Sequence, residues 1–369
     1  MRKVAIAGYG LAKFTKEQKP IESLMLPAVK SLFDDTKNLT QKDIDTVLVS
    51  TNDNTKYLAS IISELAGICP KISHSVESLC SSGANTLVSA FSYIRSGLAD
   101  VALVIGAEKA DNPGNVLNWD VSRGEYKHPI YWASLFTKAH MRKYGTTKQD
   151  LAYVSVTNHK NAKENPYAYS NKEYSIEDVM KSKNLTEDLR VLDCSMPCAG
   201  SAAILLASEE SVRNFTDSPV WITGIGQKTQ SASFTKSVEL TSMNSTITAS
   251  HDAFGMSKKN PHDIDVVELH DAFTIFEMMG LEDLGFVEKG NGKEYVKTLY
   301  ETQDKKINPR GGLIGAGHPL GATGVAQIIE ITQQLSGKAG KRQVFPANVG
   351  LVQNMSAAAT SSTIIIMEA

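Results

Sequence analysis

The chain has 369 residues, 42% of them hydrophobic and 21% charged, with a formal net charge of −2. That length suggests two or three structural units with ample apolar material for a large core, and the near-neutral balance gives no electrostatic footprint for nucleic acid or an anionic membrane. Four cysteines, Cys69, Cys80, Cys194 and Cys198, are too few and too scattered for a disulfide scaffold. Cys194 and Cys198 lack the second pair or nearby histidine that a zinc site needs, so no metal is expected.

The opening MRKVAIAGYG reads as a first strand rather than a signal peptide. No apolar stretch reaches the ~18–20 residues that cross a bilayer, so a reducing, cytoplasmic setting is the simplest expectation. Short runs rich in Val, Ile and Ala predict buried strands at 4–7, 46–49, 101–105, 204–207, 221–223, 266–269 and 363–367. Helical patterns cover 27–32, 83–94, 273–284 and 324–334. Gly8-Tyr9-Gly10 is a dinucleotide fingerprint without its third glycine and reads as a strand-ending turn. Between 111 and 192 the composition shifts to Pro, Asn, Tyr, Lys and Glu. Unstructured loops beyond ~12–15 residues are uncommon, so this predicts a substrate-covering subdomain inserted in the first half.

The chain also carries a faint duplication. Asp43-Ile44-Asp45 precedes one strand and Asp263-Ile264-Asp265 another, an offset of 263 − 43 = 220. Cys80-Ser-Ser-Gly83-Ala84 resembles His318-Pro-Leu-Gly321-Ala322, an offset of 318 − 80 = 238. Strand openings at Val4 and Trp221 and closings at Ile204 and Ile365 fall in the same order. Any α/β chain repeats strand–helix units, but matches in one order at similar offsets favour two halves, 1–218 and 219–369, with the insertion at about 111–192.

Four segments are candidates to carry chemistry. Cys80 lies just before the apolar helix that starts near Gly83, where unpaired N–H groups and the helix dipole would lower its pKa and hold an oxyanion. Gly83 and Ala84 remove bulk where a second element would approach. A lone cysteine is as readily a small buried hydrophobe. GAGHPLGATG, 315–324, delivers His318 on a tight turn at a helix start, suited to withdraw and return a thiol proton. It lacks the spacing and lysine of a phosphate-binding loop. Glu268-Leu269-His270-Asp271-Ala272-Phe273 follows a strand, where α/β sheets place their sites. Asp271 either orients a histidine or caps the next helix. The stretch 348–359, with Asn354, reads as a loop against the site or as a plain turn.

The Cys80 segment, the HDAF box at 270–273, the GHPLGATG loop and the paired halves together resemble the thiolase superfamily. Within it the chain is most similar to sterol-carrier-type and archaeal acetoacetyl-CoA thiolases. The resemblance implies an α/β thiolase fold: two duplicated βαβαβαββ halves in an α-β-α-β-α five-layer arrangement with an inserted loop domain. It implies reversible condensation of two acetyl-CoA through an acetyl-Cys80 intermediate, with His318 as base and His270 holding the thioester oxygen or a water. Asn354 and Gly321 would position the reacting oxygen. No cofactor would be tightly bound; coenzyme A thioesters are the substrates, contacted by the insertion 111–192. A homodimer or homotetramer is implied, and a complex with hydroxymethylglutaryl-CoA synthase and a zinc-binding OB-fold protein is raised. Many thiolases have a second cysteine in a C-x-G loop that moves the Cα proton, but this chain reads Gln353-Asn354-Met355-Ser356 there. His270 becomes the candidate, ahead of Cys198. A ketoacyl synthase-like condensing enzyme and a non-catalytic acyl-CoA-binding scaffold are the alternatives.

Overall fold

The computed structural model describes residues 2–110, 124–232, 239–357 and 359–369. In chain order, β1 (Val4–Leu11), α1 (Ile21–Asp35), β2 (Thr46–Ser50), α2 (Leu58–Leu65), β3 (Ile72–Val76), α3 (Ser82–Arg95) and β4 (Val101–Glu108) come first. Then follow α4 (Pro129–Tyr144), α5 (Lys148–Lys163), α6 (Ile176–Lys181), β5 (Gly200–Ser208), β6 (Val220–Thr229), α7 (Asn244–Ser257), β7 (Val266–Glu268) and α8 (Thr274–Asp283). The chain closes with α9 (Gly292–Thr302), α10 (Gly312–Ala316), α11 (Leu320–Leu335), β8 (Val349–Ser356) and β9 (Ser361–Glu368).

Most strands read as apolar runs because both faces are buried. In β4, Ala102 and Val104 face one core while Val101, Leu103 and Ile105 face another. β5 alternates in the same way, with Ala202, Ile204 and Leu206 against Ala203, Leu205 and Ala207. A period of two with no solvent face leaves no polar positions to interrupt the run. The inner core joins α3 and α11 to strands of both halves. The outer cores lie under α1 and α2 on one side and under α7 and α8 on the other. Helix, strand, helix, strand, helix: five layers result.

Strand order is β3-β2-β4-β5-β1-β6-β9-β8-β7. β2 pairs in parallel with β3 and β4, and β5 is antiparallel to β4 and β1. From β6 the order runs outward in mirror image, with β9 antiparallel to β6 and β8 and with β7 parallel to β8. A parallel bridge between Val267 and Ile307 stands where β3 stands in the first half. Both β1 and β6 carry a register shift, between Ile6 and Gly8 and between Ile222 and Gly224, an offset of 224 − 8 = 216.

Two expectations need correcting, and two elements gain detail. Gly8-Tyr9-Gly10 is not a turn but part of β1, which runs on to Leu11. Its glycines let α1 lie directly on the strand, as Gly224 and Gly226 do for α7. The stretch from 348 is mostly a strand, β8; its buried amides hid it. β3 escaped notice because Ile72-Ser-His-Ser-Val76 is a half-exposed edge strand with polar alternate positions. The described part of the expected insertion is largely helical and packs on α8, α9 and α10. A Thr147–Asp150 capping box starts α5. Residues 111–123 of that insertion lie outside the described residues.

A Cβ on Gly10 would lie 2.1 Å from the Ala28 carbonyl oxygen and 2.4 Å from the Leu32 nitrogen, both backbone atoms. Gly10→Val should therefore cost about 1–3 kcal/mol or more, read as a lower urea midpoint. Gly255→Ala at an exposed position of α7, where nothing lies within 4 Å, should instead be neutral or stabilise by about 0.5–1 kcal/mol. Equal midpoints for wild type and Gly10→Val would show that the helix is not seated on the strand.

Candidate active site

Cys80 occupies one turn of 3-10 helix, Leu79–Ser81, that runs directly into α3. Leu79 holds a left-handed φ of 50°, a strained conformation for a branched residue. Three bonds impose it. Leu79 N–H donates to Glu77 Oε1 at 2.7 Å, while Ser82 Oγ and Asn52 Nδ2 donate to the Leu79 carbonyl at 2.6 and 3.3 Å.

His318 precedes α11 by two residues, so the second half places an imidazole where the first places a thiol. Its Nδ1 lies 2.8 Å from Thr323 Oγ1, whose hydroxyl donates to the Pro319 carbonyl at 2.9 Å. The threonine oxygen therefore accepts from Nδ1–H, and Nε2 of His318 carries a lone pair. The His318 amide donates to the Met196 carbonyl at 3.0 Å. Asp271 does not cap its own helix, whose N-cap is Phe273. It accepts instead from the amides of Leu313 and Ile314, at 2.6 and 3.2 Å, and from Asn158 Nδ2 at 2.8 Å. It thus fixes the glycine turn that leads to His318.

His270 lies beyond the end of β7, where the sheet ladder to β8 has stopped. Its amide donates to Gln353 Oε1 at 2.8 Å, and its Nδ1 lies 3.0 Å from Asn354 Nδ2. The His270 and His318 rings meet edge to face with centroids 5.1 Å apart. The sulfur of Cys80 and one ring nitrogen from each histidine lie within 4.8 Å of one another. Among the described residues this is the one such set of His, Cys or carboxylate donors. A thiol and two imidazoles are donors zinc accepts, and equally a thiol with a proton acceptor beside it. Asn354 joins the site through His270. Gly321 stands apart, because its N–H is spent on buried Glu108 Oε2 at 3.1 Å and its carbonyl accepts from Ser50 Oγ at 2.7 Å. It anchors α11 to the first half and offers no free donor. Cys198 is packed against Gly317, outside the trio. Sequence reading missed Asn52, Glu108, Asn158, Thr323 and Gln327; only Thr323, within the histidine loop, had a local signal.

Burial decides the charge state. It pushes the Cys80 thiol up to about 12, aided by the Glu108 carboxylate and opposed by the N–H groups of Cys80 and Ala357. The lowering anticipated from the helix start is thus outweighed. Burial, then Arg310, brings His318 down to about 3. Burial and His318 hold His270 well below its ordinary value. At neutral pH the site holds a thiol and two neutral imidazoles.

Residues 4–188 match the family described as "Thiolase, N-terminal domain", and residues 226–369 match "Thiolase C-terminal domain-like". The chain is 38% identical over 311 residues to the acetyl-CoA acetyltransferase of Methanothermobacter thermautotrophicus, covering 81% of each chain. It is 33% identical over 381 residues to sterol carrier protein 2 of Bos taurus, covering 96% of this chain and 70% of that one. A solved structure titled "Ltp2-ChsH2(DUF35) aldolase" has the same fold, with a TM-score of 0.87 at 24% identity over 100% of this chain and 98% of that one.

An imidazole held below its ordinary value is protonated more readily in the unfolded chain, so acid favours unfolding. The stability so contributed is complete above the ordinary value of 6.5 and is lost as pH falls towards about 3 for His318. Glu268, Asp271 and Glu277 are pushed up by burial and act with the opposite sign. They are common to wild type and a His270→Gln, His318→Gln double variant, and so drop out of the comparison. Between pH 7.5 and 5 the double variant should lose less stability than wild type, measured by urea midpoints. Equal losses would mean that the imidazoles are not shielded.

Proposed function

The chain belongs to the thiolase family and is accordingly an acyltransferase, and from that premise we propose that it is an acetyl-CoA C-acetyltransferase that condenses two acetyl-CoA reversibly. The convergence of Cys80, His318 and His270 within 4.8 Å carries the reading. His318 Nε2 removes the thiol proton as the Cys80 sulfur bonds to the acetyl carbonyl carbon. The Cys80 and Ala357 N–H groups, which point at the sulfur, hold the oxyanion. The bond to the coenzyme A sulfur then breaks, and His318 returns the proton to that leaving sulfur.

For the second step, sequence reading assigns the Cα proton to His270. The bond from Asn354 to Nδ1 favours the opposite role, with Nε2–H of His270 donating to the enolate oxygen. His318, neutral again, removes the Cα proton of the second acetyl-CoA. The enolate carbon attacks the acetyl group, the Cys80 sulfur leaves, and His318 reprotonates it. One base serves both proton transfers, so a second cysteine is not required. A decarboxylating condensation is the second reading. It is favoured by the lack, among the described residues, of a further thiol in the trio, since loss of carbon dioxide forms the carbanion without a base.

We place the halves at 1–218 and 219–369 and assign coenzyme A binding to the insertion at about 111–192. The half-exposed edge strand β3 would pair with a second copy of the chain. The solved neighbour's title pairs it with a DUF35 protein; a small partner protein is proposed here on the same footing as the synthase complex.

Brief exposure to acetyl-CoA should acetylate Cys80, seen by mass spectrometry. Cys80→Ala should abolish acetoacetyl-CoA thiolysis, and His318→Gln should lower kcat/KM by about 10²–10⁴-fold. His270→Ala should slow carbon–carbon cleavage by about 10²–10³-fold while leaving acetylation of Cys80 intact. Turnover from malonyl thioesters with none from acetyl-CoA alone would select the decarboxylating reading. Failure of wild type to acetylate would end both.

A further inference from the structure

Gln327 takes no part in the steps above, yet it is fully buried in α11 among Val325, Ala326, Ile328 and Ile329. A primary amide in such a place must find acceptors for its amine and a donor for its oxygen. Its Nε2 lies 2.9 Å from the Leu269 carbonyl and 3.4 Å from the Gln353 carbonyl. Backbone carbonyls only accept, so that end of the side chain must be the amine. The Gln327 oxygen then faces Asn354 at 2.9 Å and needs a donor. Asn354 must therefore turn its own amine inward, and the same Nδ2 lies 3.0 Å from His270 Nδ1. A ring nitrogen that receives a hydrogen bond holds a lone pair, which leaves the neutral imidazole's hydrogen on Nε2.

Turning Asn354 over would sacrifice both bonds. Its oxygen is buried, without a partner, and lies 2.9 Å from where a Cβ on Gly324 would sit. That unpaired acceptor is the cost of presenting the amine to Gln327 and His270 together. The order of causation is thus strand ends, Gln327, Asn354, His270.

We propose that Gln327 is a positioning residue that, through Asn354, locks His270 in the Nε2–H tautomer and so makes it a hydrogen-bond donor to the reacting carbonyl oxygen. The proposal rests on the thiolase reading for its consequence, but the tautomer itself does not. Gln327→Met keeps the volume and removes every hydrogen bond. Gln327→Glu, neutral when buried between two carbonyls, keeps an acceptor for Asn354 and a donor for Leu269.

Imidazole nitrogens of the ¹⁵N-histidine-labelled full chain are read by long-range proton–nitrogen correlation NMR, with His270 assigned from His270→Gln. Wild type should show Nε2–H at His270, and Gln327→Met a mixture of tautomers. In Gln327→Met, kcat for acetoacetyl-CoA thiolysis should fall roughly 10–100-fold, with KM changed less than about threefold. Acetylation of Cys80 should stay at the wild-type rate, because its oxyanion donors are backbone groups. Gln327→Glu should restore most of kcat. An Nδ1–H tautomer in wild type overturns the proposal without any variant. So does Gln327→Met with wild-type kcat, or with thiolysis and Cys80 acetylation lost in parallel. If wild type does not acetylate Cys80, the thiolase reading fails, and the tautomer is still decided by the spectrum.

Discussion

The backbone contact between α3 and α11 is the constraint on which the rest depends. A Cβ on Gly83 would lie 2.8 Å from the Val325 nitrogen, and one on Gly324 would lie 2.5 Å from the Ala84 nitrogen. No side chain fits between the two helices there, so their backbones meet directly. Cys80 and His318 each precede the first residue of their helix, Ser82 and Leu320, by two positions. The crossing therefore sets the separation of sulfur and imidazole, and the two outer helix layers only hold the strands against it. A duplicated fold brings equivalent loops of its two halves face to face; here one copy supplies the thiol and the other the imidazole.

That geometry also sets the electrostatics. A helix start favours an adjacent anion by at most about 2 kcal/mol. Burial and the Glu108 carboxylate outweigh the N–H groups at the half-buried Cys80 and push its thiol up to about 12. Burial wins, and the sulfur waits as a thiol. The same burial keeps His318 unprotonated, so the thiol has a lone pair to meet. With the thiol pushed up and the imidazole pushed down, proton transfer accompanies bond formation.

Much of this was legible in the sequence, because double-sided burial writes strands as uninterrupted apolar runs and tight turns demand glycine. Seven strands, the Cys80 and His318 loops and the HDAF box stood out on those grounds. What stayed hidden obeys longer-range rules. β3 is an edge and β8 is lined by amides, so neither shows an apolar run. Asp271 looks like a cap for the helix beside it, but it caps α10, about forty residues on. Gln327 is one polar residue in an apolar helix, and nothing local says whether it meets solvent or a histidine. The direction of the Cys80 shift is hidden for the same reason: the helix start is visible in sequence, whereas burial and the Glu108 carboxylate belong to the assembled fold.

The amides around His270 follow from where β7 ends. Past Glu268 the ladder to β8 stops, yet the next residues stay buried and their N–H groups still need acceptors. Side chains supply them: Asn308 Oδ1 for Leu269 at 2.7 Å and Gln353 Oε1 for His270 at 2.8 Å. Carboxylates could accept those bonds as well, but Glu268, Asp271 and Glu277 already crowd this region and raise one another's proton affinity. A further anion beside His270 would draw a proton onto Nδ1 and lift the imidazole back towards its ordinary value. Neutral amides satisfy the broken ladder without adding charge. They also carry a direction, oxygen at one end and amine at the other, which a carboxylate lacks. Beside a buried histidine at the end of a strand cut short, Asn and Gln meet both demands, and the orientation of those amides decides which ring nitrogen carries the hydrogen.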